Sequence, residues 1–344
     1  MLRILDANFN RCSEGLRVLE EVARFILDND KLTKKLKKIR HSLSDSYATI
    51  ETSLLTSRDS AGDVGTQSSV VSEFERNDLS AIIAANARRV QESLRVLEEF
   101  AKLPASPPID VEGIKQSRFD IYDIERELMS YISRKAKIDR ITGVYLILDT
   151  AFLNGRSAND VAEQAIEGGV NIIQFRDKQS DKSAILKTAK ALKKLCARKN
   201  VLFIINNHVD IALACDADGV HLGQSDLPIF DARALLPIGK IVGYTVGSLA
   251  EAQLAQDEGA DYIAVGSIYT TTSKQNVTVV GCETLRAICA KMSVPIVATG
   301  GITFNNAKQL IDTGTNAIAV ISVILNEQDV KKATQQLLSC VKSN

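Results

Sequence analysis

A glutamine, an arginine and a lysine occupy alternate positions in Gln174-Phe175-Arg176-Asp177-Lys178. On an extended strand that spacing sends all three side chains one way, Arg176 offering a planar fork to phosphate oxygens and Lys178 a compact charge. Oxygen donors follow in Asn206-Asn207-His208 and in His221-Leu222-Gly223-Gln224-Ser225-Asp226. Asn207 and Asp226 suit Mg2+, which takes one or two carboxylates and completes its shell with substrate phosphate and water. A neutral Asn207 holds such an ion more weakly than an aspartate would. Further along, the hydroxyl run Thr270-Thr271-Thr272-Ser273-Lys274 ends in a charge, and Thr299-Gly300-Gly301 and Ile321-Ser322 offer small residues whose backbone N–H groups can meet an anion. These groups together are equipped to hold a diphosphate and a second phosphate. A salt-bridged rim is the structural alternative for Arg176 and Lys178, and loop capping for Asn207. His208 and His221 have no metal-ligand partner one helical turn away, so both read as packed, hydrogen-bonded histidines.

Positioning these residues on one surface requires that each lie at the same end of its own strand. Eight short apolar runs, at residues 144–148, 171–175, 201–205, 219–222, 241–245, 262–266, 295–298 and 317–321, each stop where one of the polar or glycine-rich stretches begins. Amphipathic segments at 157–167, 182–198, 249–258, 283–292 and 305–312 repeat apolar residues every three or four positions and predict helices between the runs. Alternation of strand and helix implies parallel strands, and eight such units imply a closed (β/α)8 TIM barrel, whose chemistry sits at the carboxyl ends of the strands.

The first third of the chain reads differently. The segment from Ala7 to Glu21 reappears from Ala85 to Glu99, with Phe9, Cys12, Leu16, Leu19 and Ala23 matched by Ala87, Val90, Leu94, Leu97 and Ala101 in alternating steps of three and four. One further helix face runs through Leu32, Leu36, Ile39, Leu43, Tyr47, Ile50 and Leu54, another through Val111, Ile114, Ile121, Ile124, Leu128 and Tyr131. An all-α helical bundle over residues 1–133, a linker over 134–141 and an α/β barrel over 142–344 follow. The repeated Asn8, Arg11, Glu14, Arg17 and Asn86, Arg89, Glu92, Arg95 read first as helix-surface ion pairing and second as a polar cluster in which arginines grip a phosphate. The break at 57–66 is either a solvated connection or a ligand loop.

At 344 residues, 45% hydrophobic and 24% charged, the composition is that of a soluble two-domain protein. Lys and Arg total 42 against 42 Asp and Glu, which argues against broad capture of nucleic acid or anionic membrane. The six cysteines form no CxxC pair, the start lacks a signal-peptide core, and no stretch is apolar enough to span a bilayer, so a cytoplasmic protein with reduced thiols is expected.

With these motifs in order, the chain from about Thr142 onward resembles the thiamine phosphate synthase family. The resemblance runs through Gln174, Arg176 and Lys178, through Asn206 and Asn207, through Gly219 to Asp226, through Gly266 to Lys274, and through Gly300 to Ile302. It implies condensation of hydroxymethylpyrimidine diphosphate with a thiazole phosphate, giving thiamine monophosphate and pyrophosphate. Carried over by position, Gln174, Phe175, Arg176, Asp177, Lys178, Asn206, Thr245 and Lys274 bind the pyrimidine diphosphate. Thr271, Thr272, Ser273, Gly300, Gly301, Ile321 and Ser322 bind the thiazole phosphate, and Asn207 and Asp226 hold Mg2+. Arg176, Lys178 and Lys274 are the catalytic candidates, neutralising the departing diphosphate. Two positions depart from the family pattern: Asn207 stands where Asp is usual, and Gly243-Tyr244-Thr245-Val246-Gly247 keeps a hydroxyl but lacks the usual histidine. The helical third resembles a domain fused to this synthase in some bacteria and associated with phosphorylation of the pyrimidine monophosphate. The expected partners are the two small-molecule substrates, with ATP at the helical domain and a homo-oligomer as further expectations. The competing readings are a thiazole tautomerase-like barrel and a non-catalytic protein that binds thiamine precursors.

Overall fold

A computed structural model describes residues 1–58, 76–271 and 278–341. The chain divides into two compact units, Met1–Ser133 and Arg134–Asn344.

The first unit is helical: α1 Leu2–Glu21, α2 Asp30–Tyr47, α3 Glu51–Thr56, α4 Leu79–Ala101 and the greater part of α5 Val111–Ile138. Capping fixes two of the starts, because Asn29 accepts from the Leu32 N–H at 3.0 Å and Asp78 from the Ala81 N–H at 2.8 Å. The apolar seams of α1 and α4 close on each other so tightly that a Cβ on Gly15 would lie 2.7 Å from the Val90 side chain. The duplication seen in α1 and α4 extends to their partners. Glu20 on α1 is buried and accepts from Arg40 on α2, 20 residues later; Glu98 on α4 is buried and accepts from Arg118 on α5, again 20 residues later. The repeating unit is therefore a helix pair clamped by a glutamate and an arginine. Arg17 and Arg95 also pair within their own helices, with Glu21 and Glu99, and Asn8 and Asn86 each donate to a carbonyl one turn back. For these four residues the ion-pairing and helix-internal account holds. The helix expected to run unbroken from Leu32 to Leu54 is interrupted by a 3-10 turn at Ala48–Ile50. Residues 134–138, expected in the linker, continue α5, since no glycine or proline stops the helix there.

The second unit is a closed barrel with strands in sequential order, β1 Gly143–Asp149, β2 Ile172–Arg176, β3 Leu202–Asn206, β4 Gly219–Leu222, β5 Ile241–Val246, β6 Tyr262–Val265, β7 Ile296–Thr299 and β8 Ala317–Val320, all neighbours parallel and β8 pairing with β1. Helices α6 Ala158–Gly168, α7 Lys182–Arg198, α8 Val209–Ala214, α9 Ile229–Leu235, α10 Leu249–Asp257, α11 Gly281–Cys289, α12 Ala307–Ile311, α13 Ser322–Leu325 and α14 Val330–Val341 surround it. Helices α8, α9 and α13 are too short to carry a readable period, and they were not expected from sequence. Inside the barrel Tyr145, Ile172, Leu202, Ile204, Ile241, Tyr262, Val297 and Ala317 pack together; the alternate residues Val144, Ile173, Phe175, Phe203 and Val220 face the helices in a separate core. No helix of the described residues is long and apolar enough to cross a membrane.

One buried and one partly buried carboxylate tie the amino-terminal ends of the strands together. Asp261, just before β6, accepts from the Val242 N–H at 2.7 Å, from Arg134 at 2.8 Å and from Arg233. Asp218, just before β4, accepts from the Phe203 N–H at 3.0 Å and from Lys193 at 3.0 Å, with Lys137 at 3.4 Å. Burial alone would push the Asp218 carboxyl up, but the Phe203 N–H and the two lysines outweigh it and hold the group below the ordinary aspartate range. A depressed folded pKa contributes stability above the unfolded value of about 4 and loses it as pH falls through the folded value. Asp218→Asn should therefore lower the urea midpoint at neutral pH, and its gap from the unsubstituted protein should narrow below about pH 4. A gap that stays constant down to strong acid would remove the carboxylate from this role.

Candidate functional site

The inward-facing residues at the carboxyl ends of the strands surround one cavity of about 850 Å3. Of the residues singled out from sequence, Gln174, Arg176, Lys178, Asn206, Asn207, Asp226, Thr245, Thr271, Gly300, Gly301, Ile321 and Ser322 line it. Thr272, Ser273 and Lys274 lie outside the described residues. Phe175 and Asp177 do not line the cavity. They have the opposite parity to Gln174 and Arg176: Phe175 is buried among the residues beneath the helices, and Asp177 accepts from the N–H groups of Gln179 and Ser180 at 3.0 and 3.1 Å. Burial would raise the Asp177 carboxyl, but those donors bring it below its usual range, so it serves as a turn cap.

Several of the polar residues belong to strands rather than to the loops that follow. Register places Arg176 opposite Asp149 and Asn206 opposite His221, so the ladder continues past the last apolar residue of each run. Arg176 is held by an ion pair to Asp149, a carboxylate only 2% exposed that also accepts from the Ala151 N–H at 3.1 Å. Asp149 was not foreseen; the signal available was its parity with Tyr145 and Ile147 at the end of β1. Pinning the guanidinium from behind limits its motion and leaves its remaining N–H groups for a ligand.

Across the mouth, Asn207 Nδ2 donates to Asp226 Oδ1 at 2.8 Å, while Asp226 Oδ2 accepts from the Gly223 N–H at 2.7 Å. Asn207 has φ 57°, a left-handed conformation that Asn tolerates better than most residues. Glu251 also reaches the cavity, accepting from the Gly247 N–H and from Gln224, both at 2.7 Å. Arg176 and Lys178 are thus faced by Asp226 and Glu251, with Asp149 behind, so the described lining carries no excess of positive charge. An anion as highly charged as a diphosphate would need additional cations there.

The opposite wall is suited to a phosphate. Gly300 and Gly301 adopt φ 95° and 67°; a Cβ on Gly300 would overlap Ser267 Oγ, and one on Gly301 would overlap the Thr270 carbonyl oxygen. Ile268 and Tyr269 donate their backbone N–H groups to the carbonyls of Thr299 and Gly300, which seats the loop after β6 against the end of β7 and brings Thr271 beside the glycines. Neither glycine N–H is taken up by a backbone carbonyl among the described residues, leaving both as donors at the cavity wall.

The floor is polar and fully hydrogen-bonded. Asn206 Nδ2 donates to Gln174 Oε1 at 3.2 Å, Gln174 Nε2 donates to the Tyr145 hydroxyl at 2.8 Å, and the Tyr145 and Tyr262 hydroxyls lie 2.8 Å apart. The Tyr262 hydroxyl lies 3.0 Å from His221 Nδ1, and His221 Nε2 lies 2.8 Å from Thr245 Oγ1. His221 is accordingly the packed, hydrogen-bonded histidine its sequence context suggested.

A family model described as thiamine monophosphate synthase matches residues 144–324, and a ThiD2 family model matches residues 3–127. The thiamine-phosphate synthase of Nostoc punctiforme is 39% identical over 337 residues, spanning 98% of this chain and 93% of the relative. That of a Synechocystis species is likewise 39% identical, spanning 98% and 95%. Among solved structures, the thiamine phosphate pyrophosphorylase from Pyrococcus furiosus is 38% identical and superposes over 59% of this chain and 96% of its own, with a TM-score of 0.55.

The glycine wall makes a direct prediction. Gly301→Ala should destabilise the protein by about 1–3 kcal/mol through backbone strain and overlap with Thr270, and should reduce the thermal stabilisation conferred by added inorganic phosphate. Unchanged melting with and without phosphate would argue against both roles.

Proposed function

Since the chain belongs to the thiamine monophosphate synthase family, we propose that its barrel joins hydroxymethylpyrimidine diphosphate to a thiazole phosphate, releasing pyrophosphate and thiamine monophosphate. The observation that carries this reading is the meeting, around one cavity, of a cationic corner at Arg176 and Lys178, an oxygen-rich corner at Asn207 and Asp226, and a glycine wall at Gly300 and Gly301. Two phosphorylated ligands need separate anchors, and these lie at or just past the carboxyl ends of different strands of one barrel.

The chemistry needs no protein nucleophile. The C–O bond between the pyrimidine methylene and the diphosphate breaks, its electron pair leaving with the diphosphate. The thiazole nitrogen then supplies the pair that forms the new C–N bond to the methylene cation, which the aminopyrimidine ring stabilises. Arg176, oriented by Asp149, and Lys178 stabilise the negative charge that grows on the leaving group, as preorganised charges do in a water-poor site. Gly300, Gly301, Thr271 and Ser322 hold the thiazole phosphate so that its nitrogen faces the methylene.

Mg2+ suits this site. Asn207 and Asp226 already touch, and rotating the Asn207 amide would set its oxygen beside the Asp226 carboxylate as a hard two-oxygen donor set, the rest of the shell coming from diphosphate and water. Bound there, the ion supplies the positive charge that the described lining lacks and stabilises the departing diphosphate.

The helical unit is proposed to phosphorylate hydroxymethylpyrimidine phosphate with ATP, making the diphosphate that the barrel uses. The ThiD2 match over residues 3–127 supports this. The six unpaired cysteines are in keeping with a reducing cytoplasm.

Incubating the full chain with both substrates and Mg2+ should release pyrophosphate; a tautomerase or a precursor-binding protein would release none. Lys178→Ala should lower kcat on the order of 100-fold with little change in KM for the thiazole phosphate. Asn207→Asp should lower the Mg2+ concentration needed for half-maximal rate several-fold, and an unchanged requirement would take residue 207 out of the metal shell. With ATP and the pyrimidine monophosphate, the full chain should form the diphosphate, and its failure to do so while the condensation proceeds would end the kinase reading alone.

A further inference from the structure

Tyr145 and His221 line the floor of the cavity, the buried Tyr262 hydroxyl lies within hydrogen-bond reach of both, and the proposed reaction gives none of the three a part. With His221 neutral, the hydrogen bonds among these residues admit two arrangements, because each tyrosine has one proton to give and a neutral imidazole has one donor and one acceptor. With Gln174 Nε2 donating to Tyr145, the Tyr145 proton must go to its other partner, Tyr262. Tyr262 then donates to His221 Nδ1, His221 carries its proton on Nε2 and donates to Thr245, and the Thr245 hydroxyl, with no further partner among the described residues, turns its own proton to the cavity. Reversing the Gln174 amide would reverse every proton along the chain. Mixed arrangements would leave a hydroxyl proton of fully buried Tyr145 or Tyr262 without an acceptor, at the cost of that group's desolvation.

We infer that Tyr145, Tyr262 and His221 are positioning residues, a buried relay that locks the Thr245 hydroxyl as a donor in concert with the amide orientation of Gln174. The inference rests on the synthase reading for its ligand class, a heteroaromatic ring carrying both hydrogen-bond donors and acceptors, read from two sides at once. Two further features support it. Gly243 on β5 leaves the space that the Tyr262 ring occupies, since a Cβ there would overlap the ring. Burial raises both tyrosine hydroxyls well above their ordinary range, so both keep their protons at any working pH.

The test uses the full chain with Tyr262→Phe, Thr245→Ala and the double variant, following pyrophosphate release while each substrate is varied. Tyr262→Phe keeps the ring in its alcove and should raise KM for the pyrimidine diphosphate about tenfold while leaving KM for the thiazole phosphate unchanged. The double variant should lose clearly less than the product of the two single losses, and losses that multiply would overturn the coupling. Should Tyr262→Phe not fold, Tyr145→Phe enters the same cycle with the same expectation. Nitrogen NMR of the imidazole should find the His221 proton on Nε2 in the unsubstituted protein, and a proton on Nδ1 would overturn the direction of the relay. An unsubstituted protein with the Nε2 tautomer that releases no pyrophosphate would sink the synthase reading and leave the relay standing.

Discussion

Closure of eight parallel strands in a single continuous register is the constraint on which everything in the barrel depends. β1 lies beside β2 with Asp149 opposite Arg176, β3 beside β4 with Asn206 opposite His221, and β8 returns to β1 with Ala319 opposite Tyr145. Side chains alternate across a strand, so a slip of one residue in any pair would exchange the inner layer for the outer. Arg176 would lose its carboxylate, and Phe175 would enter the cavity in place of Gln174. The hydrophobic layer under the helices, with Phe175, Phe203 and Val220 fully buried, opposes that exchange. Packing outside the barrel is what holds the chemistry inside it.

The same parity decides which parts of the site could be read from sequence. Gln174 and Arg176 were legible because polar side chains at alternate positions of one strand must share a face, and a face so polar cannot pack under the helices; Lys178 keeps the same parity two residues past the end of β2. Phe175 and Asp177 entered with the segment as a whole, and the pleat turns them away. Asp149 was harder to see for the opposite reason: one carboxylate ending an apolar run has only its parity with Tyr145 and Ile147 to mark it. The Tyr145–Tyr262 contact joins residues 117 apart, and nothing local to either end signals the other. Eight strands were legible because each is a short apolar run between breakers, whereas short helices such as α8 and α9 offer less than two turns of pattern.

In the helical unit the visible repeat was that of a single helix, and the three-dimensional repeat is a pair. Glu20 with Arg40 and Glu98 with Arg118 do the same work at equivalent places, each burying a carboxylate against a cation from the following helix. A buried carboxylate stripped of its cation is costly, so each clamp ties its helix to one partner. The second helices, α2 and α5, differ at most positions, yet in the register that matches Arg40 to Arg118 they also share Lys37 with Lys115 and Asp45 with Asp123. Sequence comparison between them is correspondingly faint, and the clamp is the feature that reveals the relation.

Gly243 sets the cavity floor by what it lacks. Because the Tyr262 ring fills the space where a side chain on β5 would stand, the size and polarity of the floor are joint properties of β1 through β6. Evolution or engineering can vary the rim loops one position at a time, but re-fitting the floor to a larger or differently decorated ring demands coordinated replacement on several strands. Diversification of such a scaffold should accordingly begin at the mouth and reach the floor last.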